Sequence, residues 1–143
     1  MKIIIDTNLW ISFLIGKNLS VLKTLLSKTD VAVYVCDHLI DEIKKTAGKA
    51  KIRKYISDLD VFAVLELIET YCIHVALCKK AISPVRDAND LFLLSLAETV
   101  NADFILTGDK DLLSLQTHQK TGIVTYSKFD SLIISISQSL KKM

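Results

Sequence analysis

Lys2-Ile3-Ile4-Ile5-Asp6-Thr7-Asn8 is the stretch from which the rest of the chain can be read. Its three consecutive isoleucines do not alternate with polar residues. They therefore describe a strand covered on both faces, as in the middle of a parallel sheet with helices above and below. The run stops at a charged residue, and Leu9, Trp10, Phe13 and Leu14 then recur at helical spacing, with Gly16 as the stop. A strand that passes directly into a helix begins a β-α-β unit.

The same alternation continues to the end of the chain. Ser20 is placed to cap a second helix carrying Val21, Leu22, Leu25 and Leu26, and Thr29-Asp30 turns the chain into the β-branched run Val31 to Val35. Asp37 follows and is placed to accept the first amide hydrogen bonds of a helix holding Leu39, Ile40 and Ile43. Apolar spacing from Lys49 to Thr70 predicts one or two further helices, with a break near Ser57-Asp58. Ile73 to Leu77 reads as a third strand and Ser83-Pro84 as a loop. A helix with Leu91, Leu94, Leu96 and Ala97 comes next, followed by a fourth strand from Asp103 to Thr107 and a short helix from Lys110 to Leu115. A fifth short strand, Gly122 to Thr125, precedes a terminal helix capped by Ser127 and carrying Phe129, Leu132, Ile133 and Ile136. This rhythm predicts a single domain over residues 1–143, an α/β/α sandwich around a mostly parallel sheet of about five strands.

Composition agrees with that reading. The chain has 143 residues, 50% hydrophobic and 24% charged, with four Gly and one Pro, which suits a packed core and excludes disorder, collagen and a repeat array. Eighteen Lys and Arg against 16 Asp and Glu leave a net charge of +2, so a nucleic-acid partner would have to be held by a local patch. Three cysteines, Cys36, Cys72 and Cys78, form no C-x-x-C pair and read as small buried hydrophobes in a reducing compartment rather than as disulfides or zinc ligands. Asp6 interrupts the N-terminal apolar run, and no stretch approaches the roughly 18 apolar residues that span a bilayer. The expectation is a soluble cytoplasmic protein with no membrane partner.

The acids carry the functional information. Asp6, Asp37 and Asp109 each follow a strand, and Glu42 and Asp90 fall in early turns of helices that begin beyond the same sheet edge. Open α/β sheets bind ligands in the crevice beyond the carboxyl ends of their strands, so Asp6, Glu42, Asp90 and Asp109 are placed to converge there. Carboxylates gathered in a crevice repel one another and need a positive partner. With no His nearby, an all-oxygen site for Mg²⁺ or Mn²⁺ is the economical solution, and zinc is disfavoured. Acids beside turns also serve as helix caps, a reading that suits Asp37 and Asp41 best; Asp87 and Asp111 are placed for either role. Thr7 and Asn8 are placed to orient Asp6 or a metal-bound water, and Thr107 to do the same for Asp109.

These residues resemble a known pattern. Ile5-Asp6-Thr7-Asn8, the helical Glu42, Arg86-Asp87-Ala88-Asn89-Asp90 and Ala102 through Leu113 together resemble the PIN-domain family, in particular its bacterial VapC-type toxin branch. The resemblance runs over nearly the whole chain and assigns Asp6, Glu42, Asp90 and Asp109 to the family's acidic quartet, with Asp87 and Asp111 as auxiliary acids. Asp37 stands where that branch more often has Ser followed by Pro, and Ala47 to Lys51 lacks the Arg-Pro pair frequent in relatives. The family implies a PIN-like fold and a metal-dependent ribonuclease using one or two Mg²⁺ or Mn²⁺ ions, leaving 5′-phosphate and 3′-hydroxyl ends. It also implies a cognate antitoxin, which would fill the crevice or place a basic side chain among the acids, and a homodimer. Helices within 9 to 28 and 49 to 70 carry enough apolar residues to form the dimer interface.

A charge run supports a polyanionic substrate independently. Lys44, Lys45, Lys49, Lys51, Arg53 and Lys54 fall within eleven residues that contain no acid, with Lys79, Lys80 and Arg86 as a possible second wall. A solvated helix face is the plain alternative. Tyr55 and Trp10 are candidates for base stacking, though both also fit a core. His38, His74 and His118 lack metal-ligand spacing. Two other functions fit less well. A catalytically inactive protein-binding module would not need four acids, and a phosphatase with an Asp nucleophile would need a second Asp where Asn8 stands.

Overall fold

The computed structural model describes residues 1–77 and 88–141. The central strand β1 (Lys2–Ile5) leads into α1 (Thr7–Ile15) and α2 (Leu19–Leu26), and β2 (Ala32–Val35) into α3 (Asp37–Ala47), α4 (Ala50–Arg53) and α5 (Asp58–Tyr71). Strand β3 (Ile73–His74) is followed by α6 (Ala88–Val100), β4 (Phe104–Leu106) and α7 (Lys110–Leu115). The hairpin strands β5 (Thr117–His118) and β6 (Thr121–Val124) precede the terminal helix α8 (Tyr126–Lys141).

The sheet order is β3-β2-β1-β4-β6-β5, parallel throughout except for the β5–β6 pair. The chain builds outward from β1 to β3 and then returns to the other side of β1 to build β4 and β6. Reversing direction moves the connecting helices to the opposite face, because parallel crossovers keep one hand. The result is an α/β/α sandwich around a mixed, mostly parallel sheet, as the sequence implies. Ile3, Ile4 and Ile5 are fully buried, as a strand covered on both faces requires.

The structure differs from the sequence reading in its details. The sheet has six strands among the described residues, because Thr117–His118 pairs antiparallel with β6; two residues give no periodicity to read. The third strand is only Ile73–His74, an exposed edge, rather than Ile73 to Leu77. Ser20 lies inside α2, whose cap is Asn18. Cys36 caps α3, leaving Asp37 as its exposed first residue with no cap hydrogen bond. Thr125, not Ser127, starts α8, its hydroxyl accepting from the Lys128 amide at 3.2 Å. The break before α5 is as expected, with a reciprocal capping box between Ser57 and Asp60. Ser83-Pro84 and Cys78 lie outside the described residues.

Cys36 and Cys72 are free thiols, and burial pushes Cys72 up to about 12, which suits packing rather than reactivity. No helix among the described residues is long and apolar enough to cross a membrane. Trp10 is fully buried and its indole N–H donates to the Ile5 carbonyl at 3.0 Å, fastening α1 to the end of β1. Trp10→Phe removes that donor and leaves a void, so urea unfolding should show a loss of about 1–3 kcal/mol.

Candidate metal centre

The reversal of strand order at β1 and β4 opens a crevice beyond their carboxyl ends. Asp6 leaves β1 there, and Thr107, Gly108 and Asp109 leave β4 beside it. The Asp6 amide donates to the Leu106 carbonyl at 2.9 Å, so the two strand ends remain zipped up to the acid itself.

Asp6 is 6% exposed, and the Thr107 hydroxyl donates to its Oδ2 at 2.7 Å. The same hydroxyl oxygen accepts the Asp109 amide at 3.0 Å, so one threonine holds both acidic segments. Thr107 therefore orients the Asp6 carboxylate as well as holding the Asp109 amide, where the sequence placed it beside Asp109 alone. Asp109 caps α7, its Oδ1 accepting from the amides of Asp111 at 2.7 Å and Leu112 at 3.4 Å. The cap fixes the carboxylate and leaves Oδ2 for a ligand.

The other two acids arrive on helices. In α3, Leu39, Ile43 and Ala47 recur every fourth residue and are fully buried, which sets Glu42 and Thr46 one position earlier, along the rim of the buried face. Asp90 lies in the first turn of α6 and is 6% exposed, carried inward by the buried run from Phe92 to Ala97.

All four acids line one cavity of about 180 Å³. Thr7 and Asn8 line it beside Asp6. Thr46, Lys49 and Phe92 complete the wall, and the sequence reading had not placed Thr46 or Phe92 there. Thr46 stands one turn after Glu42, a spacing that could have revealed it. Phe92, whose ring lies tilted against His38 with centroids 4.1 Å apart, carries no sequence signal that singles it out. A larger depression of about 460 Å³ lies between α2 and α5 and contains none of the four acids.

Other expected residues lie elsewhere. Asp111 is exposed in the first turn of α7 and does not line the cavity, and neither do Asp37 and Asp41. Lys44, Lys45, Lys51 and Lys54 are exposed, and Arg53 pairs with Asp58 at 2.6 Å. Lys79, Lys80, Arg86 and Asp87 lie outside the described residues. Among the described residues, no three acidic, His or Cys side chains stand together at metal-ligand spacing.

A profile of the PIN domain matches residues 2–111 of this chain. The chain belongs to the PIN-domain family. An uncharacterized protein of Methanocaldococcus jannaschii, MJ1680, is 29% identical over 129 residues, covering 84% of this PIN-domain chain and 78% of that protein. No solved structure matches it significantly.

Burial is the main cause that raises the Asp6 carboxyl above its ordinary range. The Thr107 hydroxyl opposes the shift, the Asp109 charge adds to it, and the Thr7 and Asn8 amides oppose it more weakly without forming a cap hydrogen bond. The native state thus holds this proton more tightly than the unfolded chain. Asp6 costs nothing below the ordinary carboxylate range. Its cost grows as pH rises through the raised native value and is complete above it. For the metal-free protein, calorimetry of Asp6→Asn at neutral pH should therefore show a Tm about 2–6 °C above wild type, corresponding to roughly 1 kcal/mol. The gain should vanish below the ordinary carboxylate range.

Proposed function

We propose that this chain is a metal-dependent ribonuclease that hydrolyses RNA phosphodiester bonds with water, acting as one PIN-like domain over residues 1–143. The observation that carries the reading is the arrival of Asp6, Glu42, Asp90 and Asp109, from four separate segments, in one small cavity. Membership of a nuclease-associated family supports it.

The candidate ligands are all oxygens, from carboxylates, hydroxyls and the Asn8 amide, the chemistry that suits Mg²⁺ or Mn²⁺, one or two ions. Asp6 is buried beside a second acid and would gain from a cation. Because no three ligands are gathered as they stand among the described residues, the proposal requires side chains to rotate toward Asp6 on binding. Half-buried Glu42 and Asp109 have room to do so. Such an ion would supply Lewis-acid activation of water and neutralise charge on the phosphate.

The chain's own residues do the rest. Thr107 fixes the Asp6 carboxylate, and the α7 cap fixes Asp109. Asp90 brings its carboxylate from the opposite layer of helices. Glu42 is assigned to orient the attacking water and take its proton on a carboxylate oxygen. Thr7 and Asn8 supply polar groups around Asp6. Lys44, Lys45, Lys51 and Lys54 are assigned to hold phosphates outside the cavity, with Lys49 at its wall.

In the same reading the chain is the cytoplasmic toxin of a toxin–antitoxin pair and forms a homodimer. Leu59 and Phe62 on α5, 78% and 60% exposed, support an apolar contact with a partner. A second reading, a PIN-like protein-binding module without turnover, rests on the same exposed apolar Leu59 and Phe62.

Incubating structured and single-stranded RNAs with Mg²⁺ or Mn²⁺ tests the proposal. Wild type should cleave, and Asp6→Asn and Asp90→Asn should each lose about 100-fold or more. Equal cleavage by all three proteins would reject the site, and binding without turnover would favour the module.

A further inference from the structure

The basic run of residues 44–54 divides once folded. Lys44 and Lys45 occupy the last turn of α3, Lys51 and Lys54 are exposed on and just after α4, and Arg53 is drawn to Asp58. Lys49 alone of the cationic side chains among the described residues lines the carboxylate cavity.

Its position is built into the backbone. The Gly48 amide donates to the Lys44 carbonyl at 3.1 Å, ending α3, and the Lys49 amide donates to the Thr46 carbonyl at 3.1 Å. The Lys49 carbonyl accepts the amides of Ile52 and Arg53, each at 3.0 Å, starting α4. The residue is therefore pinned from both sides at the corner between two helices, with extended dihedrals of −66° and 139°. It makes no side-chain cap hydrogen bond, so its side chain is not needed to start α4.

Lys49, itself exposed, lines this cavity together with four acidic residues, and its side chain has the reach to bring an ammonium to them. We propose that Lys49 is the cavity's own cation. Without a divalent ion its ammonium balances part of the charge of Asp6, Glu42, Asp90 and Asp109, and with RNA bound it contacts a non-bridging phosphate oxygen. The proposal rests on the carboxylate cavity being the nuclease centre, and it sets Lys49 apart from the other lysines of the run. A lysine in this position competes with divalent ions and assists the polyanion, so removing its charge moves the two affinities in opposite directions. A lysine on a solvated helix face would leave Mn²⁺ binding nearly unchanged, since the charge would be screened by bulk solvent.

Mn²⁺ binding by calorimetry, together with binding of a short single-stranded RNA in metal-free buffer, tests this on the full chain. The proteins compared are wild type, Lys49→Met, Lys49→Arg, Lys44→Met and Asp6→Asn. Lys49→Met should bind Mn²⁺ about threefold to tenfold more tightly, and the salt dependence of its RNA binding should fall by about 0.7 in slope, one phosphate contact. Lys49→Arg should keep the wild-type Mn²⁺ affinity. Lys44→Met should weaken RNA binding with little effect on Mn²⁺. If wild type binds Mn²⁺ and Asp6→Asn does not, yet Lys49→Met binds it with unchanged or lower affinity, the Lys49 assignment is overturned while the metal site stands. If wild type binds no Mn²⁺, the carboxylate reading fails and the Lys49 assignment goes with it.

Discussion

Asp6 lies at the carboxyl end of the central strand with 6% of its surface exposed, in a place where burial and the nearby Asp109 charge both oppose its ionisation. Much of the surrounding structure serves to hold that carboxylate. Trp10 ties α1 back to the Ile5 carbonyl, the Asp6 amide continues the ladder to β4, and the Thr107 hydroxyl binds Asp6 while receiving Asp109. A carboxylate in such surroundings would gain from a positive partner, which is what the proposed divalent ion supplies.

The parallel sheet explains how acids from distant segments meet. Because β1 and β4 are neighbours on which the strand order reverses, residue 6 and residues 107–109 emerge side by side despite a separation of about a hundred positions. The helix α3 reaches the crevice because its buried Leu39, Ile43 and Ala47 fix its rotation, and Glu42 follows from that register. Asp90 is set in the same way by the buried residues of α6. Packing thus determines where the charges are, and the charges determine what the cavity can bind.

The sheet and the placement of the four acids at one cavity were legible because both follow from strong local signals. Ile3-Ile4-Ile5 can hardly be anything but a covered strand, and an acid directly after such a strand falls at the sheet's carboxyl edge. Features that depend on one hydrogen bond were harder to read. Ser20 and Ser127 were good cap residues by type, but Asn18 and Thr125 held the positions where the helices began. Thr117–His118 was too short to show alternation. The basic run read as one feature because sequence shows charge without direction; only the corner after Gly48 separates Lys49, at the cavity, from Arg53, committed to Asp58. Phe92 was hidden because an aromatic residue in an apolar helix gives no sign of which wall it lines.

The central claim is that four separated segments form one divalent-metal centre, holding one or two ions. Amide spectra recorded during titration with paramagnetic Mn²⁺ test it directly, because broadening falls steeply with distance from the ion. The account predicts that the amides of Thr7, Asn8, Glu42, Thr46, Asp90 and Asp109 broaden together at the lowest Mn²⁺ concentrations, ahead of exposed acids such as Asp41, Asp58 and Asp130. Broadening confined to one of these segments, or appearing first at those exposed acids, would contradict it.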